Sequence, residues 1–338
     1  MKKNTKRFLL LSLLVVFGLA MTACGTEGPA GPAGPAGPEG PAGPAGEAGM
    51  AADDTACSDC HNDAPMLSGV AHQWEEALHA TGHAAGYAGA RAGCSACHSS
   101  AGFSAMIDAG SNPGEFEYAD AHPVGPDCRA CHQIHETYTG ADWALETSDD
   151  VVLYAFEDVT YEGGAGNLCA TCHQPRRQFE AVDGIVNISS THWGPHHGPQ
   201  SAMLLGVGGA GDVEGSASLH YQLPEDGCVS CHMGENADHT FEPNMASCET
   251  CHVDAESFDI NGKQTEIETL AVELYDLLVA NGLWDAEKDV NIVGEFPEDQ
   301  ASAVWNYIFI VKEDKSMGAH NADYTEALLN ASIAVFAP

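Results

Sequence analysis

One five-residue pattern constrains this chain more than anything else in it: Cys-x-x-Cys-His occurs six times. The copies are Cys57, Cys60 and His61; Cys94, Cys97 and His98; Cys128, Cys131 and His132; Cys169, Cys172 and His173; Cys228, Cys231 and His232; and Cys248, Cys251 and His252. Two thiols one short turn apart can take both vinyl groups of one porphyrin as thioethers, and the imidazole of the next residue then lies under the iron. The pattern is the attachment signature of c-type haem. A zinc half-site and a thioredoxin-like redox pair also contain C-x-x-C. Zinc does not require histidine directly after the second cysteine, and a redox pair has no reason to recur six times. Six covalently bound haem c groups, with their iron, are the expected cofactors, and they account for twelve of the thirteen cysteines. The remaining one, Cys24, leaves no thiol pair for a disulfide, so haem rather than cystine staples such a chain.

With 338 residues there is material for two or three ordinary domains. Aromatic residues are only 7%, however, and glycine and alanine are abundant. Such a composition suits short irregular segments wrapped round large flat cofactors that replace side chains as the core. The expected fold is therefore mainly α with much irregular chain: a haem region over residues 51–262 built round six stacked haems, closed by C-terminal helices over 263–338. In that last segment Ile267, Leu270, Ala271, Leu274, Leu277 and Leu278 recur at helical steps. Val304, Trp305, Ile308 and Val311 indicate a second helix, and Asn321 is a plausible N-cap for a third carrying Tyr324, Leu328 and Ile333.

Residues 1–23 read as a leader, with Lys2, Lys3, Lys6 and Arg7 ahead of an apolar run too short for a comfortable membrane span. Met21-Thr22-Ala23-Cys24 resembles the lipobox of bacterial lipoproteins, with Cys24 as the lipidated residue; ordinary cleavage near Ala23 is the alternative. Gly25, not Asp, follows Cys24. That places the expected anchor in the outer membrane, at the cell surface, with the periplasm as alternative. Residues 24–50 carry an unbroken Gly-X-Y repeat rich in proline. This collagen-like pattern either assembles three chains, giving a homotrimer, or acts as a polyproline-like spacer of about 3.1 Å per residue.

No acid precedes Cys24, so removal of the four leader bases leaves eight bases against 49 acids, a formal charge of −41. Such a field excludes nucleic acid and anionic membrane surfaces as partners. It fits a cationic redox partner, metal ions or a salty habitat, or simply solubility outside the cell. Between Thr55 and Asn261 there is no lysine, and the strong bases are Arg91, Arg129, Arg176 and Arg177. The last three lie in or just after haem motifs and are candidates to pair propionates.

The sixth iron ligand decides function. Iron held by two imidazoles only exchanges electrons, whereas an open iron can bind and reduce a substrate. Eleven histidines lie outside the motifs: His72, His79, His83, His122, His135, His192, His196, His197, His220, His239 and His320. The candidates for distal ligands are His79 or His83, His122, His135, His196 or His197, His239 and His320. His72, His79 and His83 are expected on one face of a helix following Pro65. His135, three residues past His132, would serve a neighbouring haem rather than its own.

The stretch Cys128-Arg-Ala-Cys-His-Gln-Ile-His135, the run Asn167-Leu168-Cys169 through Cys172-His173-Gln174-Pro175-Arg176, and Trp193-Gly-Pro-His-His-Gly-Pro-Gln200 resemble multihaem cytochromes c of metal-respiring bacteria. The tail from Trp305 to Asn321 is similar to the closing segment of the multihaem nitrite reductase and hydroxylamine oxidoreductase superfamily. That resemblance implies a distal-ligand role for His320. The nitrite reductases place lysine where the proximal histidine of the catalytic haem would stand, and no motif here has that substitution. The implied function is an electron carrier rather than an enzyme, passing electrons among other multihaem cytochromes or an outer-membrane conduit to an extracellular acceptor. The alternatives are a reductase of a small nitrogen or sulfur oxyanion at one open haem, and a subunit of an extracellular cytochrome filament. Intact mass and metal analysis of the purified protein should return six covalent haems and six irons per chain; zinc in place of iron would refute the reading.

Overall fold

The computed structural model describes residues 65–196 and 198–337. The leader, Cys24, the Gly-X-Y repeat, the first motif with Cys57, Cys60 and His61, and also His197 lie outside the described residues.

Each of the five described motifs is a single helical turn. The helices are Ser95–His98, Cys128–Cys131, Asn167–Cys172, Cys228–His232 and Met245–Glu249, the last running into the turn that holds Cys251 and His252. The histidine amide closes the turn onto the carbonyl of the first cysteine: His98 on Cys94 at 3.1 Å, and His132 on Cys128, His173 on Cys169 and His252 on Cys248 at 2.8 Å. Positions i, i+3 and i+4 share one face of a helix, so both sulfurs and the imidazole leave each turn on the same side. Turns this short have little stability of their own and rely on what packs against them.

Between the motifs the chain is held by side-chain caps and turns rather than by sheet. Asp142, buried at 5% exposure, takes backbone N–H groups from His135 (2.9 Å), Thr137 (2.8 Å) and Tyr138 (3.1 Å). The described strands form three small antiparallel pairs: Val151–Leu153 with Phe156–Tyr161, Ile185–Ile188 with Gly294–Pro297, and Trp284–Asp285 with Val290–Asn291. The second joins the haem-motif region to the C-terminal segment, Ile185 standing opposite Pro297 and Ile188 opposite Gly294.

The C-terminal helices form where the apolar spacing indicates. Lys263–Ala280 buries Ile267, Ala271, Leu274 and Leu278. Glu298–Tyr307 is buried all round from Ala301 to Tyr307 and continues as a π-helical stretch, Ile308–Asp314. Asn321 caps Ala322–Ala334 by accepting from the Tyr324 amide, and its own side-chain amide donates to Met203 (3.1 Å) and Ser216 (2.9 Å) carbonyls. The cap thereby ties the last helix to the segment after the fourth motif. At the centre of this core Trp305 is 1% exposed, packs edge-on against Trp193 (5.1 Å) and Phe179 (5.8 Å), and donates from Nε1 to the Gly208 carbonyl at 2.8 Å.

One expectation fails here. His72, His79 and His83 do not share a helix face, because the helix Pro65–Glu76 ends before Ala77, whose ψ of 153° is extended. A second short helix, Leu78–Thr81, stops at Gly82, also extended at ψ 144°. His72 faces solvent beside Glu75 and Glu76, and His83 is exposed past the second break. His79 alone is turned inward.

Replacing Trp305 with alanine removes a large buried side chain and leaves the Gly208 carbonyl without its donor. Such truncations cost about 3–5 kcal/mol. The midpoint of thermal unfolding of the haem-loaded protein should fall clearly in W305A, by calorimetry or far-UV circular dichroism, while W143A, at a 42%-exposed position, should leave it nearly unchanged.

Candidate haem-binding centres

Every described motif histidine faces one histidine from elsewhere in the chain. The ring centres are 6.5 Å apart for His98 and His196, 6.3 Å for His132 and His239, 6.1 Å for His173 and His79, 6.2 Å for His232 and His320, and 5.9 Å for His252 and His220. Two imidazole nitrogens each about 2.0 Å from one metal, and each roughly 1 Å from its ring centre, give a separation of about 6 Å. Packed aromatic rings also fall in that range, so distance alone does not decide. The pairing does: each of the five pairs joins one motif histidine to one non-motif histidine, and no residue is used twice. Among the described residues no three or more His, Cys, Asp or Glu side chains converge as a zinc cage requires.

Second, the rings are aimed. A ring nitrogen held by a protein oxygen fixes both tautomer and orientation and leaves the other nitrogen for metal. Nδ1 of His132 bonds the Trp143 carbonyl (2.8 Å), that of His173 the Gln200 side-chain oxygen (3.1 Å), and that of His232 the Phe241 carbonyl (2.9 Å). On the partner side, Nδ1 of His239 bonds the Ala237 carbonyl (2.7 Å), that of His220 the Ala319 carbonyl, and that of His320 the Asp314 carboxylate (2.6 Å). In each of these six the free nitrogen is Nε2. Burial, and then the proximity of His173, pushes the pKa of His79 down to about 4, and burial likewise lowers those of His173 and His232. These rings are held neutral, the form that coordinates iron.

Left-handed backbone occurs at some of the same places. His196 has φ 81°, between Gly194 and Gly198. Ala237 and Phe241, whose carbonyls receive imidazole N–H groups, have φ 49° and 59°. Left-handed conformations of non-glycine residues cost on the order of 1 kcal/mol each and collect at functional sites.

Large apolar side chains close in sequence to several of these histidines are exposed. Leu78, next to His79, is 84% exposed; Leu219 and Leu223, flanking His220, are 66% and 64%; Val253, after His252, is 77%. His173 is crowded by protein yet keeps accessible surface. Exposed apolar side chains beside opposed imidazoles fit a porphyrin, so the residues present match the group that the motifs imply. Each described C-x-x-C would hold it by thioethers and each imidazole pair would hold its iron. A separate cavity of about 700 Å³, lined by Phe179, Asn306 and Ser332 among others, contains none of the paired histidines.

The cysteines show how the centres adjoin. Cys97 lies within hydrogen-bonding reach of Cys172, and Cys169 within reach of Cys228. Cys131 is close enough for its charge to act on both Cys169 and Cys172, and Cys248 and Cys251 act in the same way on Cys231. The fourth motif thus lies beside the second, third and fifth, and the sixth beside the fifth.

Of the distal candidates named from sequence, the structure brings His79, His196, His239 and His320 opposite motif histidines. It does not bring His83, His122 or His135 opposite any motif histidine among the described residues. His122 is exposed, and His135 (φ 72°) stacks on Tyr138 at 5.4 Å. His220 was missed. Its sequence signal is slight, a spare histidine on a turn capped by Ser218. Arg129 pairs with Asp127 at 2.7 Å, and Arg176 lies close enough to Cys97 for its charge to act on that thiol.

No family model and no curated protein sequence matches the chain. Among solved structures it is similar to the outer cell wall cytochrome OcwA, with 22% identity and a TM-score of 0.50 over 78% of this chain and 49% of that one. It also aligns with the undecaheme cytochrome from the S-layer of Carboxydothermus ferrireducens, with 20% identity and a TM-score of 0.44, covering 77% of this chain and 40% of that one. The chain therefore spans about half the length of OcwA or less of each of these proteins. Repeated one-turn Cys-x-x-Cys-His motifs, opposed imidazoles and the likeness to OcwA together give the chain the fold of a multihaem c-type cytochrome.

Proposed function

We propose that this protein is a hexahaem electron-transfer cytochrome, exported and anchored through Cys24, that delivers electrons at the outer membrane or cell surface to an extracellular acceptor. The observation that carries the reading is the set of five opposed imidazole pairs. Bound haem would supply reversible one-electron chemistry at each pair. The chain's part is to close both axial positions, to hold each ring by its Nδ1 partner, and to set the attachment cysteines of neighbouring centres side by side. With each imidazole pair holding a haem iron, a described centre would have no place for an oxyanion, and the formal charge of −41 would repel one. The enzymatic alternative is thereby confined to the first motif, Cys57 to His61. The same field attracts metal cations or a basic redox partner.

Ring orientation makes this testable. The paired planes stand at 89° (His98 and His196), 81° (His173 and His79) and 75° (His252 and His220), against 41° (His232 and His320) and 32° (His132 and His239). Near-perpendicular imidazoles leave the two iron orbitals that they perturb almost degenerate, whereas near-parallel ones split them. Electron paramagnetic resonance of the oxidised protein should therefore show low-spin haem in both forms, three strongly anisotropic signals and two rhombic ones from the described centres. His220→Ala should convert one strongly anisotropic signal to high spin, while His83→Ala and His122→Ala leave all five unchanged. High-spin iron at any of these five centres in the unaltered protein would sink the proposal.

A further inference from the structure

One imidazole is set in different electrostatic surroundings from the rest. Of the six paired rings with a described Nδ1 partner, five meet neutral oxygens and His320 meets a carboxylate, Asp314 Oδ1, at 2.6 Å. Asp314 is 4% exposed and its side chain is shut off from solvent. Its other oxygen accepts from the Ser316 hydroxyl (2.5 Å) and amide (3.2 Å), and the same hydroxyl accepts from the His320 amide at 3.2 Å. Carboxylate, serine and imidazole thus form a closed ring of hydrogen bonds that fixes the charge against Nδ1. A charge-assisted bond of this length is roughly twice as strong as a neutral one, and it draws the Nδ1 proton toward Asp314, making Nε2 a stronger donor.

The neighbouring centre provides an internal comparison. His173 meets Gln200, the neutral counterpart of a carboxylate, at 3.1 Å. Gln200 in turn donates from Nε2 to the Glu313 carbonyl at 3.0 Å, at the end of the π-helical stretch that carries Asp314. Two centres, whose cysteines Cys169 and Cys228 lie near each other, therefore lean on one backbone segment, one through a neutral amide and the other through a buried carboxylate.

We propose that Asp314 is a tuning residue: through Nδ1 of His320 it lowers the reduction potential of the haem anchored at Cys228 and Cys231. Ferric iron takes one electron to become ferrous and loses one positive charge, so a fixed anion in a low-dielectric site favours the ferric side. Stronger donation from Nε2 acts in the same direction. The inference rests on the bis-histidine reading above and concerns only Asp314, which touches no iron and acts through His320.

The test is a reductive titration of the full-length haem-loaded protein, followed optically and by electron paramagnetic resonance, for the unaltered chain and for Asp314→Asn and Asp314→Glu. The asparagine variant keeps the acceptor oxygen and loses the charge. It should move one reduction step to higher potential and leave the other five in place, with all described centres still low-spin, and Asp314→Glu should return that step toward its original position. A titration of Asp314→Asn that superimposes on the unaltered one, or equal shifts in both variants, would overturn the proposal. Should Asp314→Asn fail to load haem, near-infrared magnetic circular dichroism of the unaltered protein decides: one charge-transfer band should lie at shorter wavelength than the rest, and a uniform set would overturn it. High-spin signals from the unaltered protein would instead remove the bis-histidine reading itself.

Discussion

In the proposed arrangement an iron atom would take one nitrogen from beside its anchor and the other from a distant segment, and such a cross-link would tie two parts of the chain together. His98 reaches His196, His132 reaches His239, His173 reaches back to His79, and His232 reaches His320. Each connection closes a long loop, which costs chain entropy once and then restricts every residue inside it, much as a disulfide does. Because the loops overlap, the segments between motifs need neither long helices nor a sheet, and the described strands are correspondingly slight.

Against that background the polar details have a common purpose. A histidine on a flexible loop finds iron by accident; one whose Nδ1 is held finds it by construction. The carbonyls of Trp143, Phe241, Ala237 and Ala319 do this holding from irregular chain, and the left-handed backbone at Phe241 and Ala237 is what turns two of them toward the rings. The strain is tolerated where it aims a ligand.

What could be read from sequence was whatever is local. The C-x-x-C-H turns, the apolar spacing of Ile267, Leu274 and Leu278, and the Asn321 cap each depend on a few consecutive residues, and each stands where the sequence places it. Partner choice is not local. His79 and His83 look equivalent at i and i+4, and the structure separates them only because the backbone turns extended at Gly82. His220 carries no mark beyond its short capped turn, since its role depends on His252 and on the Ala319 carbonyl arriving from the far end of the chain. The match of His239 with the third motif rather than the adjacent fifth or sixth is likewise a property of tertiary packing.

The position of His320 has a consequence for maturation. A chain made and released N-terminus first presents all six motifs before that residue appears. The fifth centre can therefore be anchored through sulfur while its distal side still lacks its ring, and the Ala319 carbonyl that orients His220 is missing for the same interval. Docking of the tail, with Asn321 clasping the Met203 and Ser216 carbonyls, would then complete both centres together. On the proposed coordination the closing helix would act as an assembly latch, and a truncation ahead of Ala319 would leave a protein with its anchors in place and two unfinished coordination spheres.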